Sequence, residues 1–203
     1  MRDIYQYELI PHPDYLETTR VLTLSPGNWT DLLSGTLTTM STIDPAPFEA
    51  LSYVWGRHAS WDTIAVDGKL VKLTKSLAVT LRRLRHPDQP RVIWADQICI
   101  NQEDLIERSQ QVRHMNSVYQ KASRVLVWLG DDTTGHAEKA FDLIRSLSAI
   151  SQDTLLLKQF KEKQASFDWF PDEYWVSLSE LFRQPWVSWS DSRDSETAVF
   201  AET

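Results

Sequence analysis

Cysteine is nearly absent from this chain: its 203 residues include one, Cys99. A single thiol excludes a disulfide framework within the chain and any four-cysteine zinc site. Glycine is scarce too. The six glycines lie far apart, so the sequence contains neither a Walker phosphate loop nor a dinucleotide fingerprint. His12, His58, His86, His114 and His136 form no pair at metal-ligand spacing, no H-E-x-x-H occurs, and no G-x-S-x-G elbow presents a hydrolase serine. Basic residues are outnumbered, 21 Lys and Arg against 28 Asp and Glu, for a formal charge of −7. Binding to nucleic acid in general needs a basic surface, so that class is set aside. No apolar run approaches the ~18 residues of a membrane span. The start, MRDIYQYELI, has no apolar signal region. What remains is an ordinary globular protein in which nothing suggests secretion, with no metal and no cofactor expected.

Tryptophan is the residue in excess, nine in all, within a chain that is 42% hydrophobic and 24% charged. The length fits one large domain or two small ones. Charge divides unevenly. Residues 1–129 carry 14 acids and 14 bases, whereas residues 130–203 carry 14 acids and 7 bases and hold the whole excess. That contrast predicts a neutral core followed by acidic, solvent-facing helices, with an acidic docking face as the alternative.

Apolar alternation and β-branched content predict strands at Tyr5–Ile10, Arg20–Leu24, Phe48–Trp55, Thr63–Val66, Leu70–Leu73, Arg91–Ala95 and Arg124–Leu129. Asp67-Gly68 marks a hairpin turn, since both residue types tolerate positive φ. The runs VIWA and VLVWL are continuous and bounded by charge, as in strands buried on both faces. Thr74 is a candidate N-cap for a helix carrying Leu77, Leu81 and Leu84, ended by His86-Pro87. Asn101 and Asp104 open a second helix whose predicted stripe is Arg108, Val112, Met115, Tyr119 and Ala122. Further helices are expected at Ala137–Ile150, Leu155–Lys163 and Asp172–Arg183. Alternating strands and helices from Arg91 onward imply parallel strands with right-handed crossovers. The expected fold class is α/β: three layers, a mostly parallel central sheet flanked by helices, with a small β-hairpin insertion near residues 62–73.

Ligands of open parallel sheets bind outside the strand carboxyl ends. Asp96 and Gln97 follow one predicted strand directly, and Trp55-Gly56 follow another. Asn101, Gln102 and Glu103 open the long helix, where free N–H groups favour an anion. Asp96, Asn101, Gln102, Glu107, Arg108 and Gln111 therefore form a candidate polar cleft. In the structural alternative, Asp96 and Asn101 cap the turn and Glu107 pairs with Arg108 or Arg113 on the surface. Cys99 lies between two isoleucines with no histidine nearby in sequence, which reads as an inert buried thiol. Arg82, Arg83 and Arg85 read as a solvated helix face.

These residues resemble a known family. Phe48-Glu-Ala-Leu-Ser-Tyr-Val-Trp-Gly56, Trp94-Ala-Asp-Gln-Ile-Cys-Ile-Asn-Gln102, Glu107-Arg108 with Gln111-Val112, Met115, Tyr119 and Ala122, and Val127-Trp-Leu-Gly130 are similar to blocks of the fungal heterokaryon incompatibility (HET) domain. The four blocks stand in the family's order, and the likeness covers roughly residues 5–186. Within them Ser52, Tyr53, Trp55, Gly56, Trp94, Cys99, Trp128 and Gly130 are the motif and core positions. The resemblance implies a fungal cytosolic signalling module of allorecognition and regulated cell death, acting through protein partners or self-association. It further implies a remote likeness to the TIR domain, some members of which cleave NAD with a helix-borne glutamate; a nucleotide ligand is then possible. No complete catalytic constellation is present in the sequence to settle whether the chain is an enzyme.

After Gln184-Pro185-Trp186 the likeness ends. The family pattern continues with Phe, then Arg, Trp and a terminal Gln-Glu, whereas this chain reads Val187-Ser188-Trp189-Ser190 and stops at Thr203. The expectation is a HET domain over residues 1–186, truncated at its C-terminal end, and an aberrant disordered tail over 187–203. Val-Ser is what an intron-donor hexamer encodes in frame, so one reading of the tail is translated intron, which an uninterrupted exon across Trp186 would overturn; the alternative is a natural short isoform or a diverged paralogue. Three functional readings follow: a signalling module, a TIR-like NAD or nucleotide hydrolase, and an inactive truncated product.

Overall fold

A computed structural model describes residues 3–10, 17–56, 60–162 and 169–188. The chain divides into two compact units, Met1–Trp128 and Leu129–Thr203. The first is a mixed α/β unit with a seven-stranded sheet: β1 (Thr18–Leu24), β2 (Ser34–Ser41), β3 (Glu49–Tyr53), β4 (Trp61–Val66), β5 (Lys69–Thr74), β6 (Arg91–Trp94) and β7 (Arg124–Trp128), in spatial order β5-β4-β2-β1-β6-β3-β7. Its helices are α1 (Lys75–Leu84), α2 (Asp96–Cys99) and α3 (Leu105–Lys121).

The sheet is mixed, which corrects the expectation of mostly parallel pairing. β6, β3 and β7 run parallel, as do β2 and β4, but β1 is antiparallel to both β2 and β6, and β4 to β5. The difference traces to β2, which the apolar pattern does not reveal. Its sequence SGTLTTMS has little to bury, and its β-branched threonines supply only a weak signal. β2 joins the β4–β5 hairpin to the rest of the sheet. That hairpin turns at Asp67 (φ 49) and Gly68 (φ 79), the positive pair that a tight hairpin needs.

The segment Tyr5–Ile10, expected as a strand, is irregular instead. One isolated bridge, Ile4 to Leu70, and the bonds Tyr5 N–H to the Leu70 carbonyl (3.0 Å) and Leu70 N–H to the Asp3 carbonyl (2.9 Å) lay its beginning along the outer edge of β5. The run VIWA of β6 is central and its Ile93, Trp94 and Ala95 are fully buried. β7 is different. It is an edge strand, and Val125 and Val127 are 43% and 44% exposed, so the run VLVWL is not buried on both faces.

The core of this unit contains Leu22, Leu24, Leu51, Ile64, Leu73, Leu77, Leu81, Ile93 and Trp94. Thr74 caps α1 by accepting the Leu77 N–H (3.3 Å), and Leu77 and Leu81 are buried as the spacing requires. In α3 the true cap is Asp104, whose side chain accepts the N–H groups of Ile106 (2.9 Å) and Glu107 (3.0 Å). The buried stripe of α3 is Glu107, Gln111, Met115 and Val118, not one beginning at Arg108, which is exposed. The apolar reading went astray there because the first two inward residues are polar.

The second unit is helical: α4 (Ala137–Gln152), α5 (Thr154–Glu162), α6 (Asp172–Phe182) and α7 (Pro185–Ser188). Asp132 caps α4 by accepting the N–H groups of His136 (2.9 Å) and Ala137 (3.0 Å). Buried Ser177 of α6 donates to the Glu173 carbonyl (2.7 Å), which leaves its oxygen to accept from His136 Nδ1 (3.0 Å) and ties α4 to α6. The expected tail falls, from residue 189 onward, outside the described residues.

Candidate functional site

Parallel strands β3 and β6 lie side by side, so their carboxyl ends open at the same edge. From β3 the chain passes through the β4–β5 hairpin and α1 before it returns as β6 on one side of β3, and from β6 it passes through α2 and α3 to β7 on the other side. A change of direction of this kind splays the connections apart and is where open α/β sheets hold ligands. Trp55 follows β3 by two residues, and Asp96 follows β6 by two and opens α2.

The two meet. Trp55 Nε1 donates to both Asp96 carboxylate oxygens, at 3.0 and 3.2 Å, and the Gln97 N–H donates to one of them at 2.7 Å. The Tyr53 hydroxyl is buried beside this carboxylate and finds no well-formed hydrogen bond. Burial dominates the electrostatics. It pushes the Asp96 carboxyl up to about 6, although the hydrogen bonds from the Gln97 N–H and Trp55 Nε1 pull the other way. A carboxyl poised there can exchange a proton near neutral pH, which is the property acid–base chemistry needs.

The other predicted cleft residues divide among structural tasks. Gln102 closes the turn after α2, its amide donating to the Asp96 carbonyl (2.9 Å) and more weakly to that of Ile100 (3.4 Å). The Asn101 side chain accepts the Glu103 N–H (3.2 Å). Glu107 turns inward to a partner that sequence reasoning missed. It forms a buried ion pair with Arg20 of β1, at 2.5 and 3.0 Å, and also accepts the Asn101 N–H (2.8 Å). Arg20 reaches onward to the carbonyls of Cys99 (3.3 Å) and Glu8, and lies 5.2 Å from the Tyr7 ring centre. The expected surface pairing of Glu107 with Arg108 or Arg113 is not the one formed.

Gln111 is likewise buried. It accepts from the Thr19 hydroxyl (3.0 Å) and donates to the Thr18 carbonyl (2.7 Å), while Trp94 Nε1 donates to the same Thr19 hydroxyl (3.0 Å). Arg20 and Thr19 could have been suspected: a charged residue and a threonine in the otherwise apolar strand TTRVLTL each need a buried partner.

The remaining motif positions are architectural. Cys99 is fully buried, its thiol pushed up to about 12 by burial. Ser52 and Trp128 lie on the paired strands β3 and β7, and Trp128 packs against the core. Gly56 (φ 90) and Gly130 (φ 116) turn the chain out of β3 and β7 with backbone angles that side chains rarely adopt. Arg85, expected on a solvated face, is buried. It donates to the carbonyls of Leu32 (3.0 Å), Asp31 (3.1 Å) and Asn28, fastening the loop before β2. Among the described residues, no three His, Cys, Asp or Glu side chains gather as a metal site would require, and no helix is long and apolar enough to cross a membrane.

The family model described as Heterokaryon incompatibility protein (HET) matches residues 48–189. The chain belongs to the HET family. Heterokaryon incompatibility protein 6, OR allele, of Neurospora crassa is 32% identical over 196 residues, covering 90% of this HET chain. The chain spans 27% of that relative's length. No solved structure matches it. The matched region includes β3, β6 and β7, hence both Trp55 and Asp96.

Proposed function

We propose that this HET chain is a cytoplasmic signalling and effector module of heterokaryon incompatibility, working in allorecognition and regulated cell death through protein partners or further copies of itself. Family membership supports the role, and one observation carries the signalling character. Glu107 and Gln111, two of the three α3 residues of the expected cleft, are spent on Arg20, Thr18 and Thr19 inside the fold. The family domain is proposed to occupy residues 1–186.

The experiment is expression in a fungal host with the chain fused to a chemically inducible dimeriser, scoring cell death beside cellular NAD. Death that depends on the dimeriser while NAD stays level is the expected result. Absence of death under forced association would overturn the reading.

Asp96 favours a second reading, a TIR-like nucleotide hydrolase. The finer fold assignment, TIR-like or flavodoxin-like, goes with it and concerns the parallel trio β6-β3-β7. Here Asp96 would be the proton-transfer group, since Glu107 is held by Arg20. Nicotinamide release from NAD by pure protein, lost in Asp96→Asn, would establish it; no release at any pH from about 5 to about 8 would eliminate it.

A further inference from the structure

The two edges of the sheet are finished differently. At β5 the segment beginning at Asp3 lies alongside and pairs with Leu70. At β7 nothing pairs on the outer side among the described residues. An edge strand left open is usually protected by an inward lysine, a proline, a bulge or extreme shortness. β7 reads Arg124-Val125-Leu126-Val127-Trp128, all five residues in register with β3, with no proline and no lysine; its one charge, Arg124, stands at the start of the strand and is paired with Glu49 of β3. Val125 and Val127 project from one face and are more than two-fifths exposed.

The strand is also complementary to itself. Set antiparallel to a second copy about a two-fold axis at Leu126, each Val125 faces the other copy's Val127. Leu126 then faces Leu126, and Arg124 faces Trp128. Four exposed valines close into one apolar patch on one side of the joined sheet. On the other side each guanidinium comes beside an indole, a favourable cation–π pairing, and no arginine meets an arginine. The Arg124 guanidinium keeps its partner through Nε and Nη2, which pair with Glu49, itself bound to Arg91; with the side chain 67% exposed, the flat face of the guanidinium is what meets the indole. The relation is closed, because one patch meets its own copy.

We propose that β7 is a homotypic docking edge, through which two copies of this chain join their sheets antiparallel about Leu126. The contact is small. Five residues a side fall short of the ~800 Å² per partner of a standard stable interface. The dimer is therefore weak and forms when copies are concentrated or tethered, where effective concentrations reach the millimolar range. The inference concerns a physical association and stands apart from the cell-death assay above.

Sedimentation equilibrium of the full chain from about 10 μM to about 1 mM tests it, beside Val127→Lys, which places a charge on an already exposed edge position. The expected result is a reversible dimer whose dissociation constant rises at least about tenfold in the variant. A chain that stays monomeric throughout, or a dimer indifferent to Val127→Lys, overturns the proposal. Register is tested with Val125→Cys and Val127→Cys, the native Cys99 being buried. Under mild oxidation a mixture of the two single variants should cross-link faster than either alone, because 125 lies opposite 127 and both self-pairs are diagonal. Equal cross-linking in all three samples would exclude the two-fold register.

Discussion

Asp96 and Glu107 are both carboxylates at the heart of the motif blocks, and the fold treats them oppositely. Among the described residues Asp96 has neutral hydrogen-bond donors and no cation partner, so burial controls it and its carboxyl rises from 3.8 to about 6. Between those two values the folded protein binds more protons than the unfolded chain, so stability falls as pH rises through that window and levels off above it. Asp96→Asn removes the titration while retaining an acceptor for Trp55. It should be more stable than the parent at neutral pH by about 1–3 kcal/mol, with the gain vanishing near pH 4. Urea melts across that range check it; a variant equally destabilised at every pH would show that the carboxylate is held by something other than desolvation. Glu107 instead faces Arg20 within 2.5 Å at nearly zero exposure. Glu107→Ala strands a buried guanidinium and should cost about 3–5 kcal/mol, whereas Arg20→Met with Glu107→Leu should cost much less than the two single changes added together. A double-mutant cycle giving simple additivity would contradict the pairing.

At the scale of elements, β2 holds the sheet together and is the element the sequence concealed. It pairs with β1 from Gly35 to Ser41 and receives the β4–β5 hairpin at Ser34 and Gly35. Gly35 is indispensable by space rather than by backbone angle: a Cβ there would lie 2.5 Å from the Thr23 carbonyl oxygen and 2.9 Å from Leu22 Cδ1. Gly35→Ala should therefore destabilise by about 1–3 kcal/mol, because the neighbour that must give way is backbone. Thermal unfolding measures the loss, and an unchanged midpoint would mean that β1 and β2 are not so closely paired. Apart from Tyr5–Ile10, whose alternation suggested a strand that does not form, what was legible and what was not follow one rule. Strands and helices announced by apolar periodicity or turn chemistry were readable: β3, the hairpin at Asp67-Gly68, β6, α1 with its Thr74 cap, and α4 to α6. Elements whose inward residues are polar or small were not, namely β2 with its threonines and the first turns of α3 with Glu107 and Gln111. The same holds at the site, where Asp96 and Trp55 were visible as residues after strands, but the partner of Glu107 was not. Arg20 is 87 residues away, and only the fold brings the two charges together.

At the scale of the whole chain, the charge asymmetry coincides with the division into units. The neutral stretch ends where the sheet-bearing unit ends, and the acidic excess belongs to the helical one. The two also differ in what holds them. Nearly all fully buried apolar side chains belong to Met1–Trp128; among described residues the helical unit contributes Ala140, Leu143 and Ile150, and its α5 buries no residue. Free energy of folding follows apolar area removed from water, at roughly 25 cal/mol per Å², so a unit with so few buried side chains opens at lower cost. Phe141, Ile144, Val176 and Phe182 stay more than a third exposed on α4 and α6, so they offset less of the chain entropy those helices lose than buried side chains would. Hydrogen exchange read by mass spectrometry along a urea series should therefore show the amides of α4 to α6 losing protection at lower denaturant than those of β1, β3 and β6. His136→Ala, which removes one of the two partners of buried Ser177, should lower the first transition and leave the second in place. A single transition with equal protection throughout would mean that the two units unfold as one, and that burial within each does not set its stability.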